Sequence, residues 1–185
     1  PYTKDLSEIA RSLALFSGGA AGIQLFTSFA VLLSFRKSNL LTGIGPQMIF
    51  SVRDESLHSE AGCKLFKTLV EENPQIWNEQ LRADIYEGFE LAIRNEFTYI
   101  NKIFEQGDLN TITKEQLKNF MYDRANRKLI ELGLKAKYAV DPKLLQEMEW
   151  FYIFVSGEQQ SDFFANRETG YSKPNQDWNS DNLFA

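Results

Sequence analysis

Cysteine and histidine are nearly absent from this chain, which has 185 residues but only Cys63 and His58 of those two types. A single thiol excludes an intrachain disulfide and a Cys-rich zinc site, and it fits a reducing cytoplasmic location. No block of consecutive Lys or Arg occurs. With a net charge of −5 and a pI near 5.0, that excludes the electrostatic footprint of a nucleic-acid partner. The polar start PYTKDLSE is not followed at once by an apolar run, so no secretory leader is expected. Strand-like runs are missing too, because every apolar stretch reads at least as well with helical spacing.

What is present is apolar and aromatic: 43% and 14% of the residues, respectively, enough for one domain with a substantial core. The stretch from Ser12 to Phe35 carries no charge and is long enough to span a bilayer. It is interrupted by Ser12, Ser17, Gln24, Thr27, Ser28, Ser34 and the pair Gly18-Gly19. A helix apolar all round is equally expected at the centre of a bundle, and the amphipathic remainder of the chain favours that reading over a membrane.

The rest of the chain divides into helices at local signals. The first segment runs from about Thr3 to Phe35, with Gly18-Gly19 placed to distort it. Gly43, Gly45 and Pro46 mark a loop, and Pro46 suits the first turn of a second helix ending at Asn73-Pro74. Leu81, Ile85, Phe89, Ala92, Ile93, Phe97, Ile100 and Phe104 give a third, amphipathic helix from about Trp77 to Gln106, closed by Gly107-Asp108. Thr113-Lys-Glu-Gln116 has the form of a capping box, opening a fourth helix to Leu132 with Gly133 as its C-terminal cap. Asp141-Pro142 opens a short helix toward Tyr152. Beyond Ser156, Gln, Asn, Ser and Asp dominate, as in a tail with little core of its own.

Chemistry concentrates in Ser51-Val-Arg-Asp-Glu-Ser-Leu-His58. At 100° per residue Glu55 and His58 share a stripe with Met48, Val52, Leu65, Phe66 and Leu69, so both are expected to point into the core. Burying an unpaired carboxylate costs several kcal/mol by order of magnitude, and a bound cation is one way to offset it. Carboxylate and imidazole three residues apart on one helix are a unit of dimetal sites in helical bundles. An ordinary ion pair of Glu55 with Arg53 or Lys64 is the competing reading.

The string RDESLH, the upstream GIQLFTSFA, and the later YDRANRKLIELGL and DFFANRETGYSK occur in an order that resembles the C-terminal half of a ribonucleotide reductase class I small (beta) subunit. The resemblance covers essentially the whole chain. It implies an all-α, ferritin-like helical bundle, here partial, over residues 1–155, and a flexible C-terminal tail over 156–185 that docks on the large subunit. It implies that Glu55 and His58 are metal ligands of a dinuclear centre of iron, manganese or both. Asp54 is then a carboxylate orienting the other half-site's histidine, Arg53 is its neighbour, and Tyr171 is a tail tyrosine relaying a radical between subunits. Trp178, Leu183 and Phe184 become the apolar anchors of the tail. The implied partners are the N-terminal half of the small subunit, the large catalytic subunit, and a second small subunit in a homodimer.

Two departures qualify this. Where the family reads Glu-Gly-Ile, this chain has Ala21-Gly22-Ile23, so a carboxylate ligand is replaced by a side chain without a lone pair. The family's Asp ligand and first Glu-x-x-His have no counterpart, and with one histidine the second ligand pair cannot lie elsewhere in the chain. A split subunit, a truncated or processed chain, and a degenerate metal-free homologue that serves as an assembly module all remain open. Glu55 and His58 are expected to face the helix of Ala21 across a small polar cavity.

Overall fold

Asp5 starts the bundle by accepting a hydrogen bond from the Ser7 backbone N–H at 2.9 Å, and helix α1 follows over Leu6–Ala14. The computed structural model describes residues 5–157. Without a break, α1 passes into a π-helical run, Leu15–Gln24, and then into α2, Leu25–Lys37. The sequence of the π run, LFSGGAAGIQ, holds the expected distortion at Gly18-Gly19 and widens the helix over ten residues. Helix α3 spans Gly45–Glu72 with Pro46 in its first turn, and a 3-10 turn, Pro74–Ile76, leads to α4, Glu79–Ile103. Asn78 caps α4 by accepting from the Leu81 N–H at 2.9 Å.

Helix α5, Lys114–Glu131, opens on a complete capping box: Thr113 Oγ1 accepts from the Gln116 N–H, and Gln116 Oε1 accepts from the Thr113 N–H. Gly133 ends it at φ 84°, a backbone conformation that costs glycine no Cβ clash. Asp141 caps the short α6, Pro142–Gln146, and α7 follows over Glu149–Gly157, slightly past the tail boundary expected at residue 156. Among the described residues the only strand-like pairing is an isolated bridge between Leu109 and Ile112. The chain is an all-α, ferritin-like bundle.

The α1–π–α2 rod is the axis around which α3, α4 and α5 are packed. Ile23, Phe26, Ala30 and Leu33 of the rod meet Ile49, Val52, Cys63 and Phe66 of α3, Ile85 and Phe89 of α4, and Leu117, Met121 and Leu129 of α5 in one core. Small residues let these elements approach closely. A Cβ on Gly18 would lie 2.7 Å from the Phe89 ring, one on Gly62 would overlap Ser17, and one on Gly88 would overlap Leu15. Leu6–Lys37 is long and apolar enough to cross a membrane, yet half of its most apolar window is buried in the fold, the pattern of a bundle's central helix. The expectation of burial on every side needs correction. Phe16 is 70% exposed and Leu25 42% exposed, so one flank of the rod is open.

Candidate metal half-site

The face that α3 turns toward the rod is set by Ile49, Val52, Ser59, Cys63 and Phe66, all buried. These positions step by three, four or seven residues, placing one stripe along the helix. Glu55 and His58 do not belong to it. The Glu55 side chain is 29% exposed and that of His58 65%, with His58 Nδ1 at 3.7 Å from Glu55 Oε2. This corrects the expectation of two core-facing ligands. Helix α3 also has uncovered apolar side chains, Leu57 at 64% and Leu65 at 56% exposed, and His58 is exposed as they are. Spacing assigned both side chains to the core stripe, whereas His58 is turned to solvent.

Asp54 is exposed on the same side. Arg53 has a definite structural task, since its Nε and Nη2 donate to the Val155 carbonyl at 2.9 and 2.6 Å and so satisfy the C-terminal turn of α7. Ala21 is 4% exposed within the π run, where the next residue, Gly22, is answered by charge from α5. Arg124 donates Nε and Nη2 to the Gly22 carbonyl at 3.2 and 2.9 Å, and its guanidinium carbon lies 3.5 Å from the centroid of the Phe26 ring. Burial lowers Arg124 below the ordinary arginine range, but guanidinium keeps its proton in proteins. Lys128, only 6% exposed, lays its methylenes against Gly22 and reaches Glu131 Oε2 at 2.7 Å. From the other side Ser59 Oγ donates to the Ser17 carbonyl at 2.7 Å.

Gly22, the residue after Ala21, is therefore bordered by two buried cations and a hydroxyl. Burial pushes the Cys63 thiol up to about 11, with Glu131 acting in the same direction, so it stays protonated at neutral pH. Among the described residues no three His, Cys, Asp or Glu side chains converge. The donors of this chain do not fit a complete dinuclear centre. What the open side of α3 offers is one carboxylate and one imidazole, Glu55 and His58.

Sequence reasoning missed three buried ionisable groups. Arg124 and Lys128 continue the spacing of Leu117 and Met121 along α5, and Glu96 falls between Phe89, Ile93 and Ile100 on α4, so the signal was the core stripe itself. Glu96 is 6% exposed and its Oε2 has no hydrogen-bond partner among the described residues. Burial raises its carboxyl above the usual range, partly offset by the Thr27 hydroxyl. Tyr171, Trp178, Leu183 and Phe184 lie outside the described residues.

Known proteins match this arrangement. The sequence profile of the family described as "Ribonucleotide reductase, small chain" matches residues 2–144. A ribonucleoside-diphosphate reductase small subunit of Invertebrate iridescent virus 3 is 31% identical over 173 residues, covering 93% of this chain and 45% of that protein. The ribonucleoside-diphosphate reductase subunit beta of Chlamydia pneumoniae is 29% identical over 150 residues, 81% of this chain and 42% of that one. The crystal structure of a class I ribonucleotide reductase from Bacillus halodurans superposes with a TM-score of 0.73 at 18% identity, over 82% of this chain and 53% of the other, a likeness of fold. The chain spans about half the length of the relatives it matches.

Proposed function

The chain belongs to the ribonucleotide reductase small-chain family, and from that premise we propose that it is the C-terminal part of a radical-generating small subunit, working in the cytoplasm and completed by an N-terminal bundle half. The observation that carries this reading is the open flank. Phe16 of the rod and Leu57 and Leu65 of α3, the helix that also carries Glu55 and His58, are 70%, 64% and 56% exposed, an apolar surface that on this reading awaits a cover. In that assembly Glu55 and His58 would hold one side of a dinuclear iron or manganese centre, and covering them would strip the water that now solvates the imidazole. When bound, such a centre supplies the one-electron oxidation from which nucleotide reduction starts. Asp54 then orients a ligand of the other half. Tyr171 belongs to the relay toward the large subunit, on which Trp178, Leu183 and Phe184 dock, and two small subunits pair as a homodimer. Residues 1–155 act as the bundle half and 156–185 as the docking tail.

A second reading has its own observation. Ala21 removes a carboxylate, and Arg124 and Lys128 place positive charge against the adjoining residue, which opposes a divalent ion in a low-dielectric interior. On this reading the chain is a metal-deficient assembly module. The genomic neighbour tests the main proposal. An adjacent reading frame with an Asp ligand and another Glu-x-x-His should yield a product that complexes with this chain and, with the large subunit, reduces ribonucleotides. A product that forms no complex would contradict it.

A further inference from the structure

Away from the half-site, one side of helix α4 faces a groove. Glu90, Arg94, Phe97 and Asn101 step by four, three and four residues and so stand along one face of the helix. Together with Thr98, Tyr122 of α5 and Tyr138 of the loop after it, they line a space of about 520 Å³. Three half-buried rings run along it. Phe97 meets Tyr122 edge-on at 5.0 Å between centroids, and Tyr122 stacks on Tyr138 at 4.9 Å with 13° between their planes. The loop that supplies Tyr138 is fastened from both helices. Tyr86 Oη of α4 accepts from the Lys135 N–H and donates to the Lys135 carbonyl, both at 3.0 Å. Asn126 of α5 accepts from the Lys137 and Tyr138 N–H groups at 2.9 Å and donates to the Tyr138 carbonyl at 2.8 Å. A wall already in place loses little conformational freedom when a ligand arrives.

Charge in the groove is one-sided. The one acid lining it, Glu90, is bonded by Lys137 Nζ, which holds its carboxyl below the usual range. Arg94 forms no ion pair among the described residues, and its exposed guanidinium keeps the fork of donors that matches an oxyanion. Lys118 Nζ, 5.2 Å from the Phe97 ring, adds positive charge nearby. Tyr138 contributes a donor without an acceptor. Its hydroxyl is buried, has no hydrogen-bond partner among the described residues, and is pushed up to about 12 by burial, Glu90 and Tyr122, so it keeps its proton. We propose that this groove is a small-molecule site for a planar ring bearing one oxyanion, a phosphate or a carboxylate, with the ring beside Phe97, Tyr122 and Tyr138 and the oxyanion on Arg94. A further ring extends such an aromatic run at roughly 4.5–7 Å between centroids. Aromatic walls with a few converging polar groups are the usual composition of a ligand pocket. None of these residues belongs to the half-site, so the groove binds its ligand whether or not metal is held.

Backbone amide NMR shifts of the full chain, titrated with phenyl phosphate and separately with benzoate, test this. At least one probe should bind saturably and shift residues 90–101 and 137–138, and the tighter of the two identifies the oxyanion. Arg94→Gln, a change at an exposed helix position, should weaken that binding by about tenfold or more, as should Tyr138→Leu. Arg82→Gln removes a cation from the same helix, beside Trp77, and should leave binding unchanged. Inorganic phosphate, acetate and benzyl alcohol offer the anion or the ring alone, and each should bind about tenfold or more weakly than the tighter probe. Absence of a saturable shift with both probes would overturn the proposal. So would full affinity in Arg94→Gln, or phosphate or acetate alone binding as tightly as its ring-bearing counterpart.

Discussion

The two flanks of the α1–π–α2 rod show how differently one helix can be used. Toward α4 and α5 it is sealed: Gly18 admits the Phe89 ring, Gly22 admits Lys128 and gives its carbonyl to Arg124, and Gly88 makes room for Leu15. On another side it is open, with Phe16 70% exposed, and α3 likewise exposes Leu57 and Leu65. The sealed flank carries the stability, because close packing and satisfied polar groups concentrate there. The open face of α3 carries Glu55 and His58, the pair proposed as metal ligands.

The comparison breaks most easily on the sealed side. Phe89→Ala removes a wholly buried ring from against Gly18 and should cost about 3–5 kcal/mol in chemical denaturation. A loss under about 1 kcal/mol would show that the flank is looser than its geometry indicates. Arg124→Met leaves the Gly22 carbonyl without its donor and should cost about 1–3 kcal/mol. Its circular dichroism should stay helical, and a change confined to the open flank's reactivity would point instead to a role in the site.

Glu96 sharpens the same contrast through pH. Its folded pKa is raised by burial, so its contribution is fully present below the unfolded value near 4.5 and is lost as pH rises through the folded one. Melting temperature should therefore fall from acid to neutral pH, and Glu96→Gln should flatten that slope. An unchanged slope in the variant would assign the pH dependence to other groups. The smallest effect belongs to the open flank. Leu57→Ser and His58→Ala should each change the chain's own stability by no more than about 0.5 kcal/mol, while Leu57→Ser weakens complex formation with the completing half. A large intrinsic loss in either would mean that this face is part of the core.

Legibility followed the range of the forces involved. Thr113 with Gln116, Asp141 with Pro142, and Pro46 announced helix starts because capping is settled within four residues, and the structure has all three. The π run was legible only as a site of distortion at Gly18-Gly19, since its length depends on the side chains from α3 and α5 that answer Ser17 and Gly22. Glu55 and His58 were singled out by their spacing and misplaced in burial because α3 carries apolar residues on more than one side. Ile49, Val52, Cys63 and Phe66 face the rod, whereas Leu57 and Leu65 face outward, and a periodicity argument does not say which stripe meets which neighbour. Arg124, Lys128 and Glu96 were passed over because charge ordinarily reads as surface, although each stands at a core position.

Metal analysis of the assembled small subunit, comparing the wild-type chain with His58→Ala, Ala21→Glu and Cys63→Ser, tests the half-site most directly. If Glu55 and His58 complete a dinuclear centre, the assembly holds up to about two transition-metal ions, less any shortfall from Ala21, by analogy with dimetal bundles. His58→Ala then loses most of them, Ala21→Glu raises occupancy by restoring an anionic donor, and Cys63→Ser changes nothing. Metal retained in full by His58→Ala, or lost equally from His58→Ala and Cys63→Ser, would contradict the assignment of α3's open face as a metal half-site.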